Sequence, residues 1–95
     1  MSKRTIIFSA HAITKMFERK IGPSLVRTAV EQGSIINHYP DDRPYPSRLI
    51  LFFHDEIPIH IVAADDENST MTYIITVYIP DSLAWNEDFT KRRQQ

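Results

Sequence analysis

The apolar positions of this chain follow two different periods, and the change falls at Gly33. Before it, Ile13, Met16 and Phe17 recur at about 100° per residue, the spacing of one helix face. Ser9 can cap a helix beginning at Ala10. The arc predicts Ile13, Met16 and Phe17 as the core face, with the stem of Lys20 along its edge. His11, Lys15 and Arg19 then form a basic row on the other side, with Ala12 at the border. Gly22-Pro23 ends this helix and opens the next, since proline suits a first helical turn. Leu25, Val26, Ala29 and Val30 give the second helix an apolar stripe, and Gly33 closes it.

After Gly33 the pattern is extended. "SIINHYP" reads as a strand, and "DDRPYP" as a loop, because two prolines in six residues exclude a central strand. "SRLILFF" and "IPIHIVAA" read as strands joined by the turn "HDE". Pro58 places the second of these at an edge, or marks its start. "DDENS" is another turn. "TMTYIITVYI", the most β-prone run, is expected to be the central strand, and Pro80 ends it. "KRTIIF" near the start is a short strand or an extended lead-in. The tail 81–95 is expected to pack Trp85 and Phe89 and to fray from about residue 86.

Short links force neighbouring strands antiparallel. The expected fold class is therefore α+β: one domain over residues 1–95, with two N-terminal helices on a three- to four-stranded antiparallel sheet. A length of 95 residues with 42% hydrophobic content supports one core.

Charge changes this picture in one respect. The net charge is −1, but residues 1–33 carry six Lys/Arg against two acids, and residues 49–90 carry eight acids and no Lys or Arg. A uniformly basic nucleic-acid binder is thus excluded, while a local basic cleft is not. The chain has no cysteine, which fits a reduced cytoplasmic compartment. No apolar run reaches the ~18–20 residues needed to span a bilayer, and the one after the basic start is too short for a signal peptide. No membrane association is expected.

Four groups of polar residues bear on chemistry. The row His11, Lys15, Arg19 is either a solvated face or a set of cations aimed at a phosphate. His60, inside an apolar strand, is either a satisfied core residue or one half of an acid–base pair with His11. Thr76 and Tyr78 share a strand face, with Ile75 and Val77 opposite. The loop supplies Tyr39, Arg43, Tyr45, Ser47 and Arg48, aromatics interleaved with arginines, a composition suited to base stacking and phosphate contact. The histidines are scattered without metal-ligand spacing, so no metal or other cofactor is expected. Two glycines eleven residues apart exclude a glycine-rich phosphate loop.

The stretch "SAHAITKMFERKI" resembles the pattern S-x-H-A-x-x-R-M-x-E-R-x-I, which opens a small bacterial family of unknown function. "YPDDRPYPSRLIL", "PIHIVAA", "IITVYIPD", a tryptophan and the tail arginines follow in the same order, so the likeness spans about residues 8–93. The family looks like the toxin halves of type II toxin–antitoxin modules and is related by fold to the RelE, barnase and colicin ribonucleases. The resemblance implies a metal-independent endoribonuclease whose polar set falls on His11, Lys15, Arg19, Ser47, His60, Thr76 and Tyr78. Within it, His11, Lys15, His60 and Tyr78 would carry the chemistry. Arg19, Tyr39, Arg43, Tyr45, Ser47, Arg48 and Thr76 would hold substrate. The implied partners are an RNA substrate and a cognate antitoxin with a zinc-finger segment, and a homodimer is allowed. Lys15 stands where the family pattern has arginine, keeping the charge but losing the two-pronged fork. The alternative is a non-catalytic interaction domain of the same fold, binding a protein or RNA.

Overall fold

A computed structural model describes residues 4–94. The chain runs β1 (Thr5–Phe8), α1 (Ala10–Arg19), α2 (Pro23–Gln32), β2 (Ser34–Tyr39), β3 (Ser47–His54), β4 (Ile57–Asp65) and β5 (Met71–Tyr78). The five strands form one sheet in the order β1-β5-β4-β3-β2. The fold class is α+β, with one strand more than the hairpin links predict. That strand is β1, which pairs with β5 in parallel. Short links dictate the direction only of strands adjacent in sequence. Residues 9–70, about two thirds of the chain, separate β1 from β5, so nothing local fixed their sense. The added strand also makes β4, not β5, the centre of the sheet.

The helix boundaries are where the caps put them. Ser9 accepts a hydrogen bond from the Ala12 amide at 3.0 Å, and its own hydroxyl donates to the Ile75 carbonyl at 2.9 Å. Gly22 precedes α2, with Pro23 as its first residue. Gly33 ends α2 against the sheet: a Cβ there would lie 2.5 Å from the Ala29 carbonyl oxygen and 2.5 Å from Ile50 Cγ2. The absent side chain lets the chain turn directly from helix into β2.

The face that α1 buries differs from the expected one. Ala12 and Met16 are buried, whereas Ile13 is 55% and Phe17 87% exposed. The helix is thus rolled by about one residue from the arc its large side chains suggest. Ala12, fully enclosed, lets α1 lie close on β5 in a way that the bulkier Ile13 would not. The roll carries the row of His11, Lys15 and Arg19 toward the sheet rather than away from it.

The core lies between the helices and one face of the sheet. It comprises Ala12, Met16, Ile21, Val26, Ala29, Ile50, Ile59, Ile61, Ala63, Ile74 and Val77. Side chains alternate across a strand, so Leu49, Leu51, His60, Thr76 and Tyr78 project from the opposite face. The alternation shifts once. The pairing passes from Val62↔Thr76 to Ala63↔Ile74, which leaves Ile75 as an unpaired bulge residue. Ile75 is accordingly exposed rather than beside Val77 in the core.

The two-residue turn joining β3 to β4 is Asp55-Glu56, both with positive φ (49° and 71°). This is the backbone of a type I′ hairpin. Pro58 lies at the beginning of β4, opposite Phe53.

The tail covers part of the second face. Trp85 is buried, and its segment bridges to Arg92 through Asn86 N–H to the Lys91 carbonyl (2.9 Å) and Arg93 N–H to the Ala84 carbonyl (2.8 Å). The segment expected to fray is therefore hydrogen-bonded as far as Arg93; Gln95 lies outside the described residues, as does Lys3 of "KRTIIF". No helix among the described residues is long and apolar enough to cross a membrane.

Candidate functional site

The first turn of α1 runs past the end of β1, where β5 loses its parallel neighbour. His11 reaches across this gap, and its Nε2 lies 3.0 Å from Thr76 Oγ1. The imidazole remains exposed to solvent. Lys15, one turn on, lies 3.5 Å from Glu18, a loose surface pair of little energetic weight. Arg19, in the last turn, is exposed and makes no ion pair among the described residues. Of the helix row, His11 thus meets the hydroxyl of β5 at one edge of the sheet, with Lys15 and Arg19 following along the helix in solvent.

His60 is in a different situation. It is fully buried. Its Nε2 lies 2.8 Å from the Phe89 carbonyl oxygen and its Nδ1 3.1 Å from the Tyr78 hydroxyl. A carbonyl only accepts, so Nε2 carries the proton and Nδ1 accepts from Tyr78. Trp85 stands edge-on to the ring, and Arg92 lies 5.2 Å over the tryptophan. Burial is the largest influence on His60 and lowers its pKa; the hydrogen bond to the Phe89 carbonyl opposes it less strongly, and the Arg92 charge adds a smaller lowering. Burial likewise raises the Tyr78 phenol. The pair is neutral, and the tail encloses the His60 ring while Tyr78 stays partly exposed. His60 and Tyr78 sit on the same sheet face as Thr76, since Tyr78 pairs with His60 and Thr76 with Val62. Of this series the His11 end is the most open and His60 the most enclosed.

The loop residues divide three ways. Arg43, Tyr45 and Ser47 border one cavity of about 440 Å³, together with Ile7, Ser9, Tyr73 and Ile75. Tyr45 stacks on Tyr73 with centroids 5.6 Å apart and planes 5° from parallel. The Asp66 carboxylate is the main influence raising the Tyr45 phenol, which stays protonated. Ser47 is buried and donates to Asp42 at 2.5 Å. Arg48 faces elsewhere, pairing with Asp65 at 2.5 Å. Asp65 also accepts from the Thr72 hydroxyl at 2.6 Å and lies 3.4 Å from Arg4. That network fastens the residue preceding β1 to β3, β4 and β5 and occupies the Arg48 guanidinium. Tyr39 lies near the tail, beside Trp85 and Arg92. Among the described residues no three of His, Asp and Glu converge as metal ligands would.

A family model matches residues 8–79, three quarters of the chain, and its description is a domain of unknown function, DUF4258. The chain belongs to the DUF4258 family. No curated protein and no solved structure matches it. The DUF4258 match takes in α1, both histidines and the stacked tyrosines, and it stops one residue after Tyr78. Trp85, Phe89 and Arg92, which enclose His60, lie beyond the matched span.

Sequence reasoning missed two participants at this site. Tyr73 joins Tyr45 only because register pairs Ile7, Tyr73 and Ala64 in one row across the sheet, with Ser47 next. The Phe89 carbonyl is a backbone atom, and no residue type announces it.

Proposed function

We propose that this chain is a metal-independent endoribonuclease, the toxin of a two-gene module. The observation that supports the reading is His11: an exposed imidazole held 3.0 Å from Thr76 and followed along the same helix by Lys15 and Arg19. RNA carries its own nucleophile, the 2′-hydroxyl. His11 takes the proton from that hydroxyl, which attacks the adjacent phosphorus and expels the 5′-oxygen. The products are a 2′,3′-cyclic phosphate and a 5′-hydroxyl, the latter taking its proton from water at the open site. Lys15 and Arg19 offset the charge that builds on the phosphorane. Thr76 positions the imidazole. His60 and Tyr78 stand next along the same sheet face as Thr76, and His60, enclosed by the tail, does not touch substrate. The cognate antitoxin, and a zinc-finger segment within it, belong to this proposal.

The test is purified protein with single-stranded RNA in excess chelator. Cleavage yielding cyclic phosphate, reduced ~10²-fold or more by His11→Ala in a folded protein, is expected. Cleavage that disappears on chelation defeats the metal-free mechanism.

A second reading, a non-catalytic docking domain, draws on the exposure of Ile13 and Phe17 along α1 and on the unavailability of His60. Expression without growth arrest, alongside tight binding of a protein partner, would favour it.

A further inference from the structure

The cavity bordered by Tyr45 and Tyr73 has no part in the proton transfer, yet it is a well-formed and mostly apolar concavity. Its about 440 Å³ falls in the ~300–1,000 Å³ range of small-ligand sites. Ile7, Phe8, Pro44, Ala64 and Ile75 give it an apolar lining. Two stacked, parallel tyrosine rings border it, already fixed against each other. Arg43 stands on its border, exposed and without an ion pair among the described residues. The tail that covers the other half of this sheet face does not reach it: none of residues 80–94 lines the cavity.

Its position matters as much as its lining. Ser9 and Ile75 both border it. His11 is two residues after Ser9, and Thr76 follows Ile75 directly. The Ser9 hydroxyl donates to the Ile75 carbonyl, so the two segments are tied together where the cavity adjoins the His11–Thr76 pair.

We propose that this cavity is the base-binding subsite for an unpaired nucleotide of the RNA strand, with Tyr45 and Tyr73 as its aromatic wall and Arg43 as its phosphate contact. The inference rests on the endoribonuclease reading and names where its substrate is gripped. A nucleotide joins a planar aromatic ring to an anion, and the site joins an aromatic wall to a free cation. The lining offers few free edge-reading groups: the Ser9 proton is given to Ile75, and Asp42 is engaged by Ser47. Recognition is therefore by stacking and shape, and it tolerates more than one base.

The test uses a single-stranded RNA hexamer carrying one 2-aminopurine and 2′-O-methyl groups throughout, so that it binds and is not cut. Saturable quenching of the 2-aminopurine fluorescence is expected with the unaltered protein. Tyr45→Ala should weaken binding by ~5- to 100-fold, the range measured for losing one base–aromatic stack. Tyr45→Phe should stay within about twofold, because the ring face remains. Ile75→Trp, at an exposed bulge position, should fill the cavity and abolish quenching even if Tyr45→Ala proves unstable. Three results overturn the proposal: no quenching, equal affinity of Tyr45→Ala and unaltered protein, or equally tight binding of a hexamer abasic at that position. Each is separable from the catalytic reading, which a cleavable hexamer judges: quenching without cleavage keeps the subsite and removes the nuclease.

Discussion

His60 lies edge-on beneath Trp85, ring centroids 4.4 Å apart at 87°, and gives its Nε2 proton to the chain two turns further on, at the Phe89 carbonyl. A residue in the centre of the sheet is thereby tied to the last folded segment. This contact makes the tail part of the core of the second sheet face.

Removing that ring should cost heavily. His60→Ala leaves a cavity under Trp85 and strands the Tyr78 hydroxyl and the Phe89 carbonyl. A loss of about 3–4 kcal/mol is expected from combined cavity and unpaired-group costs, read as a drop in the urea midpoint. Tyr78→Phe, which leaves only Nδ1 unpaired, should cost about 1–2 kcal/mol.

The same histidine sets a pH dependence. Unfolded, it titrates near its ordinary value of 6.5; folded, burial lowers that value. The unfolded chain therefore binds more protons below about pH 6.5, and stability falls as pH falls through that window. Above it, the contribution of His60 is complete and constant. Urea midpoints at about pH 7.5 and pH 5.5 should differ more for the native protein than for His60→Gln, which has nothing to titrate at that position.

The roll of α1 can be checked with two neighbours. Met16→Ala, from the buried side, should cost about 2–4 kcal/mol. Phe17→Ala, from the exposed side, should stay within about 0.5 kcal/mol. Thermal unfolding of both variants decides it; equal losses would mean that the large side chains do face the core.

The β3–β4 turn holds two non-glycine residues at positive φ. Asp55→Asn with Glu56→Gly supplies the residues a type I′ turn favours. The pair should stabilise the protein by about 0.5–1 kcal/mol net of the added freedom of the unfolded chain, seen as a higher melting temperature with unchanged far-ultraviolet dichroism.

Much of this was legible along the chain. Ser9, Gly22-Pro23 and Gly33 mark helix ends by capping and backbone chemistry that acts over a few residues, and the α+β class follows from the change of period. The pairing of a helix row with a strand hydroxyl was also within reach, since both patterns are local. Distance in sequence hid the rest. Periodicity names an apolar arc on α1, but the close packing of Ala12 on β5 decided which edge of it is buried. Alternation put Ile75 opposite Thr76, but a bulge set by cross-strand register turned it outward. His60 reads the same in sequence whether it is an open catalytic base or an enclosed core group. Burial and hydrogen-bond partners distinguish the two, and those come from Trp85 and Phe89, twenty-five or more residues away. The sequence by itself determined the elements and their ends, because short-range sterics and hydrogen bonding govern them. Tertiary structure alone decided which histidine meets water and which tyrosines meet each other, because only folding brings together groups that far apart in the chain.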